Sequence, residues 1–247
     1  MDSVASAASG APRARPGAAP VQTLDRVVCV IEAAAIAGPC TLADLVRITG
    51  LARPTAYRLA VACEGHGLLA RDDDGRFRLG GRLVGWGARA AHASGLAAAA
   101  GPVLARLVEE TGESAQLYVR EGDTRVCIAT SERASGLRDT VPLGAVMPLS
   151  KGSGGKALLA WAADRAEFAV PARELEAVRL TGFAESVGER EAGVASVSAP
   201  VRVSVGSVVA AISVSGPAER MGEAARLRHG ASVRAAAAVL AQGVTSE

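Results

Sequence analysis

Gly50 and Pro54 stand four residues apart between two short helical patterns, and no other feature limits the fold of this chain as strongly. Before them, TLADLVRITG puts Leu42, Leu45 and Val46 on one stripe, while Thr41 and Asp44 form a capping pair for the first turn. Thr49-Gly50 ends that helix. Pro54 has a fixed φ that suits the first helical position and lacks a donor that is not needed there, so a second helix runs from about Pro54 to Glu64. Then come Leu69-Ala70-Arg71, an Asp72-Asp73-Asp74-Gly75 tip and Arg76-Phe77-Arg78-Leu79. Together these predict a helix-turn-helix followed by a two-stranded wing, with Phe77 and Leu79 pointing one way and Arg76 and Arg78 the other.

Helical geometry sets Ala56, Leu59, Ala60 and Cys63 on one side of the second helix and Pro54, Tyr57, Arg58 and Val61 on the other. Only the first set wants a core. The second offers a cation, a phenol and small apolar surface, which suit phosphates, base edges and thymine methyl groups in a major groove. The candidate DNA-binding set is Thr41, Arg53, Pro54, Thr55, Tyr57 and Arg58 on the two helices, with Arg76 and Arg78 on the wing. Tyr57 and Arg58 would meet phosphates and base edges, Arg53 and Thr55 would fix the helix start to the backbone, and the wing arginines would reach the flanking groove. Any small helical hairpin with a β-hairpin and solvated charges fits the same pattern. Residues 41–79 carry six Arg against five acids, so a cationic footprint must come from placement.

The full length of 247 residues allows one or two domains, and nearly half the chain is apolar but only 3% aromatic, so the cores should be close-packed and built of small residues. A net charge of +2 excludes a histone-like polycation and permits a site-specific binder with its basic groups on one face. Cys29, Cys40, Cys63 and Cys127 have no C-x-x-C spacing, and with three His the chain has no zinc set; no metal, cofactor or disulfide is expected. No apolar run approaches a membrane span and the N-terminus lacks a secretion-signal core, so a soluble cytoplasmic protein is expected. Residues 1–20, rich in Ala, Gly, Pro and Ser with Arg13 and Arg15, read as a disordered tail.

Leu24, Val27, Val28 and Ile31 recur at helical spacing up to Gly38-Pro39, which gives a first helix and a DNA-binding unit over 21–79. Residues 80–96 read as a linker helix weakened by glycine, with Leu83, Val84 and Trp86 as a patch for a dimer contact or for packing within the subunit. A helix follows around Val103, Leu104, Leu107 and Val108, then a hairpin of Ser114–Arg120 and Thr124–Thr130, an extended piece at 137–141, and a glycine-rich loop that opens a helix at Ala157. One helix is expected near 171–179, two strands at 194–203 and 207–215 joined near Gly206, and a last helix at about 219–241. The order predicts an α+β chain whose region 97–243 is an antiparallel sheet flanked by helices.

ARPTAYRL, GRFRLGGRL, PLSKGSGGKALLAW, REAGVASVSAPV and VVAAISVSGPAERM together resemble the IclR family of bacterial transcription regulators, over residues 21–241. Within that family, TGESAQLY, SERASGLRDTVPLG and SVGEREAGVASVSAPVR resemble the actinobacterial regulators of leucine and other amino-acid metabolism. The resemblance implies an N-terminal winged helix-turn-helix, a dimerising linker helix and a C-terminal GAF-like domain that binds a small effector. It also implies dimers, or tetramers built as dimers of dimers, on operator DNA, acting as repressor or activator. Residues 164–183 are shorter than the family's usual segment, which leaves the pocket lid and the ligand class open.

By that resemblance the effector cavity is lined by Met147, Ser153, Gly154, Ser186, Val194, Ser196, Ser213 and Ser215. Strand alternation independently groups Val194, Ser196 and Ser198 on one face, with Ser213 and Ser215 beside them. These hydroxyls suit a small polar metabolite, although serine is also what a small-residue core tolerates. Ser153-Gly-Gly-Lys156 matches the S-x-x-K of penicillin-interacting enzymes, but S-D-N and K-T-G are missing. Nor is it a phosphate loop, since residue 157 is Ala and no Gly stands at 150. Lys156 beside the hydroxyls could still receive a carboxylate. A serine hydrolase with a helical docking module is the rival reading, and it lacks a base near the serines, so no catalytic residue is assigned. A ligand-free architectural dimer is a third.

Overall fold

Thr41 caps α2 (Leu42–Thr49) as its spacing with Asp44 requires: the Asp44 N–H donates to Thr41 Oγ1 at 3.3 Å and the Thr41 N–H to Asp44 Oδ2 at 3.1 Å. These coordinates are a computed structural model that describes residues 21–93, 95–204 and 207–244; the expected tail at 1–20 and the turn at Gly206 lie outside them. The chain forms two compact units divided between Ala90 and Ala91.

In the first unit, α1 (Gln22–Ala37) and α3 (Arg53–Gly65) pack with α2 around Val30, Ala33, Ala34, Leu45, Ala60 and Cys63. Leu24, expected on the buried stripe of α1, is 59% exposed; the stripe lies farther along, from Val27 to Ala34. The wing pairs β1 (Leu69–Arg71) with β2 (Phe77–Leu79), Ala70 opposite Arg78. It has a third member that the sequence reading missed. Cys40 and Phe77 exchange both backbone hydrogen bonds at 2.8–2.9 Å, which ties the wing to the start of α2. The Phe77 ring is buried and capped by the Arg71 guanidinium 4.3 Å from its centroid. Leu79 is instead 39% exposed, so Phe77 of β2 and Leu69 of β1 anchor the wing. α4 (Gly81–Ala93) follows, with Val84 74% and Trp86 50% exposed.

The second unit is a six-stranded antiparallel sheet of order β5-β4-β3-β8-β7-β6. Its strands are β3 (Ser114–Glu121), β4 (Thr124–Ser131), β5 (Val146–Pro148), β6 (Ala184–Val187), β7 (Val194–Ser204) and β8 (Ser207–Pro217). α5 (Gly95–Thr111) and α8 (Glu223–Val244) cover one face through Leu104, Leu107, Val233 and Leu240 against Leu117, Val197, Val201, Ile212 and Val214. α6 (Ser153–Leu159) and α7 (Ala172–Thr181) cover the other through Leu158, Leu159, Leu175 and Val178, with Tyr118, Ala184 and Ala211 on the sheet. The α+β reading holds. No helix among the described residues is long and apolar enough to cross a membrane.

Three local expectations are corrected. Residues 137–141 form a loop, and the edge strand lies later, at Val146–Pro148, where residue 146 pairs with Val126. α6 opens at Ser153 rather than Ala157: the low helix propensity of Gly154 and Gly155 hides its first turn in the sequence, while close packing on Tyr118 and Leu149 calls for glycine there. β6 was not foreseen; its Ala-Glu-Ser-Val is too short to show a period.

Gly155 fixes the seat of α6: a Cβ there would lie 2.0 Å from the Leu149 carbonyl oxygen. Gly155→Ala should therefore destabilise the second unit by about 1–3 kcal/mol or more, as overpacking does. Urea unfolding followed by intrinsic fluorescence, with exposed Gly122→Asn as the control, checks it. An unchanged midpoint would mean that the loop before α6 yields freely.

Candidate nucleic-acid face and effector cavity

On α3, Ala56, Ala60 and Cys63 are buried and Leu59 half-buried, while Arg53, Pro54, Tyr57, Arg58 and Val61 are exposed. Thr55 is half-buried, its N–H donating to the Ala52 carbonyl. Arg76 and Arg78 are exposed on the wing. Thr41 is exposed, but its hydroxyl donates to Asp44 Oδ2 at 2.7 Å and is committed to the cap.

The near balance of charge resolves through pairing. Asp44 is held by Thr41 and Arg47, and these hydrogen bonds keep its carboxyl below the usual carboxylate range. Glu64 pairs with Arg71 at 3.1 Å. Asp72 Oδ1 accepts from the Asp74 and Arg76 N–H groups and so builds the wing turn. Among the described residues Arg53, Arg58 and Arg78 take part in no ion pair. Asp74 lies 3.9 Å from Arg76, so the cations left over are Arg53 and Arg58 on α3 and Arg78 on the wing.

In the second unit, alternation gives β7 and β8 one apolar face and one serine face. Register sets Ser196 opposite Ser215 and Ser198 opposite Ser213, while Gln116 of β3 lies beside Ser213. Ser153, the first residue of α6, reaches down to them: its Oγ lies 2.7 Å from both Ser196 Oγ and Ser198 Oγ. Ser198 donates to Ser213 at 2.8 Å and Ser215 to Gln116 Oε1 at 3.1 Å. A cavity of about 20 Å³ adjoins this network, room for roughly one water molecule.

Ser153, Gly154, Ser196, Ser213 and Ser215 line that cavity; Met147, Ser186 and Val194 do not. Met147 instead lies with its sulfur 3.6 Å from the Arg125 guanidinium, Ser186 is buried opposite Ser196 on β6, and Val194 is half-buried opposite Pro217. The lining that sequence reasoning missed is charged: Arg125, Asp139 and Arg190, together with Tyr118 and Gly152. Asp139 and Arg190 fall inside two of the quoted stretches that carry the resemblance, which was the available signal. Arg125 gave only its place in an otherwise apolar strand.

Arg125 is 3% exposed and holds the loop before α6 by donating to the Pro148 and Lys151 carbonyls at 2.5 and 2.6 Å. Burial lowers its affinity for its proton and pushes the neighbouring Tyr118 phenol well above its ordinary range. Arg190 donates to Asp139 Oδ1 at 2.5 Å. Two buried atoms of opposite character remain without a hydrogen-bond partner beside the cavity, Arg125 Nε and Asp139 Oδ2, and a third, Gln116 Nε2, lies next to Ser215. Leaving such groups unmet costs about 1–3 kcal/mol each.

Arg190 belongs to a short strap between β6 and β7. Gly188 and Gly193 bound it with positive φ of 69° and 80°, and Glu189 within it accepts from the Gly152 N–H at 3.0 Å and pairs with Lys156. Lys156, 6% exposed, also pairs with Glu174 of α7 at 2.6 Å. It is thus neutralised by the protein's own carboxylates, and Ser153 has only hydroxyl neighbours, so the S-x-x-K resemblance supplies no activated nucleophile. No group of three or more metal-binding side chains occurs among the described residues.

Residues 23–73 match the IclR helix-turn-helix domain, and residues 88–170 and 172–242 match the domain described as bacterial transcriptional regulator IclR C-terminal. The HTH-type transcriptional repressor AllR of Escherichia coli K12 is 28% identical over 249 residues, covering 90% of this chain and 92% of AllR. The HTH-type transcriptional regulator BhcR of Paracoccus denitrificans is 28% identical over 241 residues, 87% of this chain and 86% of BhcR. Among solved structures, an IclR homolog from Microbacterium hydrocarbonoxydans complexed with 4-hydroxybenzoate superposes with a TM-score of 0.75 at 25% identity, covering 91% of this chain and all of that one. These relatives are regulators, and the hydrolase reading is set aside. The chain belongs to the IclR family of bacterial transcriptional regulators, with a DNA-binding helix-turn-helix and a C-terminal effector-binding domain.

Proposed function

We propose that this regulator senses a small amino acid and controls leucine-type or related amino-acid metabolism. The observation that carries the reading is the pair of unmet buried atoms of opposite character at one cavity, Arg125 Nε and Asp139 Oδ2. A carboxylate suits the first and the serine hydroxyls; an ammonium suits the second. A keto acid or a simple aromatic acid satisfies only one of them. The stretches TGESAQLY, SERASGLRDTVPLG and SVGEREAGVASVSAPVR support the same metabolic class by resemblance.

The cavity is far smaller than an amino acid, so the strap at 188–193 has to swing out. An ammonium at Asp139 competes with Arg190, and loss of that ion pair loosens one of the strap's attachments, leaving those of Glu189 to Lys156 and the Gly152 N–H. A ligand acts only through its preference for one arrangement, a coupling of typically about 1–3 kcal/mol. The cavity's closure favours the ligand-free architectural reading instead. Against it stand the unmet atoms, which a permanently closed site would leave uncompensated.

In the first unit, Arg53, Thr55, Tyr57 and Arg58 meet the duplex from α3, with Pro54 packing at the groove edge and Arg76 and Arg78 on the flank; Thr41 serves by positioning α2. The exposed Val84 and Trp86 of α4 fit a homodimer contact, which brings two such units to one operator.

Thermal shift and calorimetry with leucine, its keto acid and 4-hydroxybenzoate test the ligand. Leucine at a hundredfold excess over Kd should stabilise by about 2.7 kcal/mol. Asp139→Asn should weaken leucine about tenfold or more and the keto acid little. Equal response to leucine and keto acid, or to neither, removes the amino-acid reading. Separately, gel shifts on the promoter of its own gene should lose about 1–3 kcal/mol on Arg58→Ala, with a salt slope smaller by about one. Unchanged binding would take Arg58 out of the interface.

A further inference from the structure

The larger opening in the second unit is elsewhere. A cavity of about 370 Å³ lies where β7 runs on past β6, bounded by the end of α7, the second half of α8 and Trp161. Its floor is small and apolar, of alanines from β7 and α8 with Pro200, and its charged lining is entirely basic: Arg179, Arg202 and Arg234. None of the three takes part in an ion pair among the described residues.

The cations are positioned, not merely present. The β7–β8 ladder slips register on both sides of Arg202, an irregularity of the kind that re-aims a side chain. Arg202 then stacks over the Trp161 indole at 4.4 Å, and its buried Nε has no hydrogen-bond partner. Arg179 is tethered by its Nε to the Ala160 carbonyl at 2.5 Å, which leaves both terminal nitrogens for other work. Arg234 lies across Gly182, where a Cβ would come within 3.0 Å of its Nε. Three guanidiniums line one cavity with no carboxylate among its lining residues, which leaves it a positive charge that an anion can meet.

We propose that this cavity is a second ligand site, for a small organic polyanion whose carboxylate or phosphate oxygens engage Arg179, Arg202 and Arg234 while its apolar body rests on the alanine floor. The volume fits an occupant up to about nucleotide size. It is separate from the serine cavity in lining and in chemistry, having no carboxylate among its lining residues to receive an ammonium.

Calorimetry on the full chain at physiological salt, with citrate, adenosine monophosphate and inorganic phosphate as probes, is the test. Saturable binding of citrate or adenosine monophosphate, one per chain, is expected; citrate alone marks a carboxylate site, and the nucleotide with phosphate marks a phosphate site. Arg234→Gln, an exposed change that should not disturb folding, and Arg202→Lys, which keeps the charge but loses the planar fork, should each weaken binding about tenfold. Asp139→Asn should leave it unchanged. No saturable binding below about 1 mM for any probe, or an affinity in both arginine variants unchanged from that of the unsubstituted protein, overturns the site.

Discussion

The register between β7 and β8 decides most of what the second unit is. Their side chains alternate so that Ala195, Val197, Ala199 and Val201 meet Ala210, Ile212 and Val214 under α5 and α8, while Ser196, Ser198, Ser213 and Ser215 meet one another under α6. A slip of one residue would send every serine into the apolar layer and every valine into the cavity. The burial of two apolar faces at once makes such a slip costly, so specificity here comes from patterning and not from any single contact.

Small residues make that patterning possible. Serine and alanine let α6 approach the sheet until Ser153 Oγ touches two strand hydroxyls, and Gly154 and Gly155 remove the last obstruction, the first against the Tyr118 ring and the second against Leu149. The cost is a cavity with little apolar lining, so orientation within it must be set by charge. Arg125 and Asp139 supply that, and burial makes each count for more than it would in water.

Elements whose determinants are local were legible in the sequence. The Thr41–Asp44 cap, the Pro54 helix start, the two faces of α3 and the serine alternation all follow from residues within a few positions of one another. What stayed hidden depends on distant partners. Cys40 becomes a wing strand only because Phe77 returns beside it, and β6 exists only because β7 offers an edge. The same holds for the site. Asp139 and Arg190 are 51 residues apart, and nothing local distinguishes either from a solvated charge until the fold brings them together. Met147 and Ser186 show the converse: Met147 is set against Arg125 and Ser186 is buried beside Ser196, and neither lines the cavity.

One excursion of the chain touches both cavities. The segment from α7 to the strap carries Glu174 and Glu189, which converge on Lys156, and Arg190, which closes on Asp139; between them, the end of α7 carries Arg179 and Gly182 at the arginine cavity. β7 also borders both, but it is locked between neighbours for much of its length and is a poor candidate for movement. The excursion is held by the buried Leu175 and Val178 of α7 and by the β6–β7 ladder, while its strap is fastened by ion pairs at Lys156 and Asp139, which have discrete made and broken states. Lys156, paired with Glu189 of the strap and Glu174 of α7, thus joins the segment beside the serine cavity to the helix that carries Arg179.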